Sequence, residues 1–205
     1  MTEWLFTPAF ALWGAPATWL ELVAVALALA MVWFNIREIH WAWPLAIASS
    51  LLYLLLFAHH RLYGEAGLQV VFATVALWGW FQWLRGRRAD GSALRVAALA
   101  PAARAAWTAV GLVLWLLLGL LLAGRTDSDV PWWDAFPTAF SLVGQFLLGR
   151  KYIENWAVWI VVNVVSVALF AYKGLWLTVL LYTVFIALSF VGWRAWRSRL
   201  PAAAR

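Results

Sequence analysis

Seven apolar stretches, each close to the roughly 20 residues that cross a hydrocarbon core, take up most of this 205-residue chain. They run over residues 18–36, 41–59, 64–84, 105–123, 132–149, 154–173 and 175–196. Polar clusters separate them: Arg37-Glu38, His59-His60-Arg61, the 85–104 stretch, Arg125 to Asp129, Arg150-Lys151 and Lys173-Gly174. In lipid a backbone N–H or C=O has no water to bond, so each stretch is expected to be a helix. Composition excludes a water-soluble domain. Apolar residues make up 66% of the chain and charged residues 12%, against about 45–50% and about 25% in soluble domains.

The basic residues set an orientation. Arg37 follows the first span, Arg85, Arg87, Arg88, Arg95 and Arg104 follow the third, and Arg150 and Lys151 follow the fifth. Arg194, Arg197, Arg199 and Arg205 form the tail. These are 12 of the 15 basic residues, with only Arg61, Arg125 and Lys173 on the opposite side. The positive-inside rule places the richer side in the cytoplasm, with the amino terminus outside and the carboxyl terminus inside a cell inner membrane. The net charge of +6 is thereby explained without a nucleic-acid partner. Glu21, Glu65, Asp134 and Glu154 stand at span starts, where they suit the positive ends of helix dipoles.

No basic leader precedes the first apolar residues, so no cleavable signal peptide is expected. Residues 1–17 carry Trp4, Phe6, Phe10 and Trp13 and read as a segment lying in the membrane interface. The chain has no cysteine, which removes disulfides, thiolate metal sites and cysteine nucleophiles.

An offset of 113 positions superposes the two ends of the chain without a gap. It carries Arg37 onto Arg150, Trp43 onto Trp156, Ile47 onto Ile160 and Phe57-Ala58 onto Phe170-Ala171. Leu62, Leu68 and Phe72 fall on Leu175, Leu181 and Phe185, and Gly79-Trp80 with Trp83 falls on Gly192-Trp193 with Trp196. The expected fold is therefore all-α and integral to the membrane, about seven helices in two parallel three-helix repeats joined by a connector (3+1+3). The repeats cover 18–84 and 132–197, the connector 105–123, a basic cytoplasmic loop 85–104 and a tail 198–205. Parallel repeats of this kind are a transporter architecture with the solute bound near the midplane.

What the spans lack is equally telling. No Asp, Glu, Lys, Arg or His stands in the middle of any span, so neither a proton relay nor an acid–base active site is expected. His59 and His60 are adjacent and do not make the i, i+4 metal pair of a helix. Asp127, Asp129 and Asp134 lack the glycine-bearing pattern of a calcium loop. No catalytic residue, metal or cofactor is expected. A membrane-embedded enzyme would need a deep catalytic group, and a receptor would need an output domain.

Aromatic and amide chemistry remains. Trp156, Trp159 and Asn163 fall on one helix face. Two indoles can hold a flat or cationic ring, and an amide one turn away offers both donor and acceptor. Gln145, Gln69 and Asn35 are the other deep amides, each open to a second reading as interhelical glue. Trp80, Trp83, Trp193 and Trp196 stand at inner helix ends and read as interfacial belt residues.

These segments resemble the PnuC family of vitamin transporters. The first repeat carries Leu62-Tyr63-Gly64-Glu65, Leu68-Gln69 and Gly79-Trp80-Phe81-Gln82-Trp83. The second carries Glu154-Asn155-Trp156-Ala157-Val158-Trp159, Asn163 and Lys173-Gly174-Leu175-Trp176-Leu177-Thr178. The resemblance spans nearly all of residues 20–197. It implies a facilitator for nicotinamide riboside, an aromatic cation, or in sister branches thiamine or riboflavin, with a cytoplasmic kinase trapping the solute by phosphorylation. It also implies that Trp156, Trp159 and Asn163 touch the solute, with Gln145, Gln69, Asn35 and Tyr182 as further contacts. Assembly into a homo-oligomer is compatible with this plan. The chain differs from commoner members in Ala66-Gly67 before Leu68, where a bulkier pair is usual.

Overall fold

The computed structural model describes residues 7–12, 15–59, 63–88, 91–126, 129–174 and 176–201. Trp4, Phe6 and Trp13 of the amino-terminal segment, His60, Arg61, Leu62, Asp127 and Leu175 lie outside the described residues. Among the described residues, seven helices follow a short hairpin: α1 Trp19–Arg37, α2 Ala42–His59, α3 Tyr63–Arg85, α4 Pro101–Arg125, α5 Pro131–Gly149, α6 Glu154–Tyr172 and α7 Trp176–Arg197. These ends lie within a few residues of the expected spans, because bilayer thickness fixes helix length. Local chemistry sharpens them. Pro101 and Pro131 stand in the first turns of α4 and α5, where a missing N–H costs nothing. Arg37, Arg85 and Arg125 close α1, α3 and α4, complementing the negative ends of the helix dipoles.

Among the described residues, four helical segments are long and apolar enough to cross a membrane: Gly67–Arg85, Pro101–Arg125, Glu154–Tyr172 and Thr178–Arg197. Leu22–Arg37 and Ala42–Leu55 are apolar but shorter. α5 joins neither group; it carries Asp134, Pro137, Ser141 and Gln145.

Two features add detail to the expected plan. Among the described residues ahead of α1, β1 Pro8–Leu12 and β2 Ala15–Thr18 pair antiparallel. Pro8 and Pro16 remove two backbone donors, and extended backbone is what proline and its neighbours adopt. The connector helix begins at Pro101 rather than 105. The run Ala102-Ala103-Arg104-Ala105-Ala106 consists of strong helix formers, so the loop after α3 is shorter than expected and Arg104 is helical.

The chain divides into two compact units, residues 1–80 and 81–205, with the boundary inside α3. In the first unit α1 packs on α2. In the second, α4 packs on α5, α5 on α6 and α6 on α7. The α4–α5 pair is antiparallel and closes on two glycines. A methyl group at Gly111 would meet the ring of Phe140, and one at Gly119 would overlap that of Trp132. Small residues that let an aromatic ring approach a helix backbone are the usual glue where lipid supplies no hydrophobic drive. The outer surface of α4 presents Leu112, Val113, Leu116, Leu117, Leu120 and Leu121, as a lipid-facing helix does.

At one end of the second unit, Leu99, Val143 and Leu147 form a core with Trp107, Phe146 and Tyr152 packed around it. The segment before α4 is laced to the α5–α6 turn: Ala97 N donates to Lys151 O and Ile153 N donates to Ala97 O. Leu99 N and Arg104 Nε both donate to Glu154 Oε1, at 3.0 and 2.9 Å. At the other end Lys173 Nζ reaches Asp134 Oδ1 at 3.2 Å, tying the end of α6 to the start of α5.

The α1–α2 and α5–α6 turns are built alike. Glu38 and Lys151 both take left-handed backbone, at φ 57° and 56°. Around Glu38 the donors Glu38 N, Ile39 N, Ala42 N and Trp43 N bond the carbonyls of Asn35, Phe34, Ile39 and His40. Around Lys151 the same four bonds run from Lys151, Tyr152, Asn155 and Trp156 to Leu148, Leu147, Tyr152 and Ile153. Each donor and each acceptor differs from its counterpart by the 113-residue offset.

Candidate functional site

α6 carries the residues the sequence nominated. Trp156, Trp159, Asn163 and Ser166 follow one another at helical spacing, so they share a face; Trp156, Asn163 and Ser166 are buried, Trp156 with 2% of its surface exposed. Trp159 is half-buried. Its indole lies on Gly144 of α5, where a methyl group would stand 3.1 Å from Cε2. Gln145, the next residue of α5, is also half-buried. Among the described residues, no hydrogen bond involves the side chain of Asn163 or Gln145. A polar solute would supply either amide with a partner, each such bond worth about 0.5–1.5 kcal/mol net.

Trp156 sits differently. Gly192 of α7 lies under its ring, so that a methyl group there would be 2.6 Å from Cε2, Cζ2 and Cη2. Trp196 meets it edge to face, with ring centres 5.5 Å apart and planes at 88°. Its Nε1 is sealed from solvent and makes no hydrogen bond among the described residues. Trp196 itself is fully buried, which corrects its reading as an interfacial belt residue. Trp83 is half-buried, lies 6.3 Å from Trp196 and donates its Nε1 to Leu148 O. Lys151 Nζ stands 4.8 Å over the same ring. Belt and core tryptophans look the same at a helix end in sequence, and burial distinguishes them.

The remaining nominees stand on other helices. Asn35, buried at 5%, and half-buried Gln69 belong to the first unit. Tyr182 of α7 packs with Phe170 and Phe185, at ring-centre distances of 5.1 and 5.7 Å. Gln69 and Tyr182 are related by the same 113-residue offset. Gly144, Gly192 and the Glu154 strap were not singled out from sequence, although Gly192 stood in the repeated Gly-Trp pattern.

Open space in the second unit lies toward the opposite end of α6 from Trp156. One cavity of about 250 Å³ is lined by Trp115, Trp132, Trp133, Phe136 and Val165. Another of about 330 Å³ is lined by Val130, Trp133, Ala168, Leu169 and Tyr172. Both are apolar and aromatic. Among the described residues, no three His, Asp or Glu side chains gather as metal ligands.

Comparison with known proteins agrees with this helix plan. The profile of the nicotinamide mononucleotide transporter family matches residues 18–198. The chain is 35% identical, over 96% of its length and 94% of the relative's, to the riboflavin/roseoflavin transporter RibM of Streptomyces davaonensis. It is 25% identical to the nicotinamide riboside transporter PnuC of Escherichia coli, covering 89% of this chain and 87% of that one. The crystal structure of the vitamin B3 transporter PnuC superposes with a TM-score of 0.71 at 24% identity, over 88% of this chain and 81% of that one. These relatives are transporters rather than enzymes. With its helices, its apolar spans and a family match over nearly its whole length, the chain belongs to the PnuC family of multi-pass membrane vitamin transporters.

Proposed function

We propose that this transporter is a facilitator for riboflavin, bound against α6 by Trp159, Asn163 and Gln145. The observation that carries this reading is a half-buried indole beside two amides that have no hydrogen-bond partner among the described residues. A flat, neutral ring system with an edge of alternating carbonyl and N–H groups suits that set. The indole stacks on the ring, and an amide, which both donates and accepts, pairs with the edge. The 35% identity to a riboflavin/roseoflavin transporter over almost the whole chain favours the same solute.

Nicotinamide riboside, the solute the sequence resemblance implies, is the second reading. It is supported by the 25% identity to a nicotinamide riboside transporter and by the affinity of indole faces for cations.

The basic residues support an amino terminus outside and a carboxyl terminus in the cytoplasm. Solute then enters toward the aromatic cavities at the outer ends of α4, α5 and α6 and leaves past the packed Trp156 end. A cytoplasmic kinase completes uptake. Phosphorylation adds about −1.5 to −2 charges, and a site of indoles and amides offers such an anion no cationic partner.

Flux into proteoliposomes tests the proposal. Riboflavin inside the vesicles should rise to the external concentration and stop, faster than nicotinamide riboside or thiamine. Preferential entry of nicotinamide riboside would move the chain to the second reading. Entry of none of the three would reject the aromatic-vitamin site.

A further inference from the structure

We infer that Trp156 is a packing pillar of the fold rather than a solute contact, and that recognition on α6 belongs to Trp159 and Asn163. The inference rests on the reading of α6 as the solute site and divides the roles within it. The first half of the chain supplies the comparison. Trp43 stands 113 residues before Trp156, follows the same left-handed turn with the same hydrogen bonds, and is also 2% exposed. Its ring lies over Gly79, which stands 113 residues before Gly192, and a methyl group at Gly79 would overlap that ring. Tryptophan on glycine is thus one joint made twice.

The recognition residues are not made twice. The positions 113 residues before Trp159, Asn163 and Gln145 hold Ala46, Ser50 and Val32. A side chain kept in the same seat in both copies serves what the copies share, which is the packing of one helix on another. Side chains present in one copy serve what that copy alone does. The local geometry agrees. Gly192 covers one side of the Trp156 ring and the edge of Trp196 meets it, and its Nε1 is sealed, so no group of a solute can reach it. Trp159 rests on Gly144 and remains half-exposed, leaving surface for a ring to stack on.

The test uses the full chain in detergent, read by thermal melting and by quenching of riboflavin's own fluorescence. Trp156→Phe and Trp43→Phe should each melt roughly 5 °C lower, from a core truncation in a protein of this size, with riboflavin affinity unchanged. Trp159→Ala should bind riboflavin about ten-fold more weakly, the loss expected for a heteroaromatic ring stacked on an indole. Gly192→Ala should lower the melting temperature in the wild-type background and be silent beside Trp156→Leu, because the clash needs the indole. Trp156→Phe weakening riboflavin as much as Trp159→Ala, while melting with the wild type, would overturn the inference. So would a Gly192→Ala that is harmless beside Trp156. If the wild type binds neither riboflavin nor nicotinamide riboside, the solute reading fails on its own. The paired glycine and tryptophan variants then still decide whether Trp156 is a pillar.

Discussion

At the scale of single residues, the decisive contrast is between amides that have partners and amides that do not. Asn155 is fully buried and donates Nδ2 to Tyr152 O at 2.6 Å, which fixes it as part of the α5–α6 turn. Asn163 is 4% exposed and carries no such bond among the described residues. Asn163→Leu keeps the number and branching of the side-chain heavy atoms and removes donor and acceptor. It should weaken solute binding by about 1–1.5 kcal/mol, the net worth of one hydrogen bond, while raising or preserving melting temperature in the absence of solute. Parallel titrations and melts of that variant check both signs; a fall in stability with unchanged affinity would return Asn163 to the role of interhelical glue.

Elements show where sequence was sufficient and where it was not. The helices were legible because the bilayer imposes one length on every span and charges cannot be placed inside it. The amino-terminal hairpin was not legible, since Phe10 and Trp13 between prolines suit an interfacial segment as well as a strand. The site was half legible: helical spacing put Trp156, Trp159 and Asn163 on one face, yet spacing cannot tell a ring sealed by Gly192 from one resting on Gly144. The strap across the α5–α6 turn was invisible because it joins Leu99 and Arg104 to Glu154, 55 and 50 residues away.

That strap yields its own expectation. Arg104 is 54% exposed, so its ion pair contributes little, and the weight falls on the Leu99 N–H. Glu154→Ala should cost about 1–2 kcal/mol by orphaning that donor, and Glu154→Gln, which still accepts from it, less. Thermal melts of the two variants separate these terms. Equal losses would shift the weight to the ion pair. The turn itself is strained at Lys151, where a left-handed non-glycine costs about 1–2 kcal/mol. Glycine removes that strain but also the Trp83 contact, worth roughly 0.5–1 kcal/mol. Lys151→Gly should therefore be near neutral and Lys151→Ala destabilising, as melting curves would show.

For the whole molecule, the absence of ionisable side chains from the span centres governs the energetics of transport. On the proposed facilitator reading, with no side chain there to bind and release a proton, flux should follow the solute gradient alone. Collapsing a pH gradient across proteoliposomes should leave the initial rate unchanged; a rate that falls with the gradient would reveal coupling. The chain has no cysteine, so single cysteines introduced at Ser92 and Ser128 can be labelled without background. Impermeant reagent should reach Ser128→Cys from outside the cell and Ser92→Cys only after permeabilisation, if the basic residues mark the cytoplasmic side.

The most direct test is calorimetric titration of the purified wild type and of Trp159→Ala with riboflavin, nicotinamide riboside and thiamine. Saturable binding of riboflavin in preference to the other two, weakened by about 1–2 kcal/mol without the stacking indole, is the expected result. Equal riboflavin affinity in the two proteins would contradict the account, because the ring would then be held somewhere other than against α6.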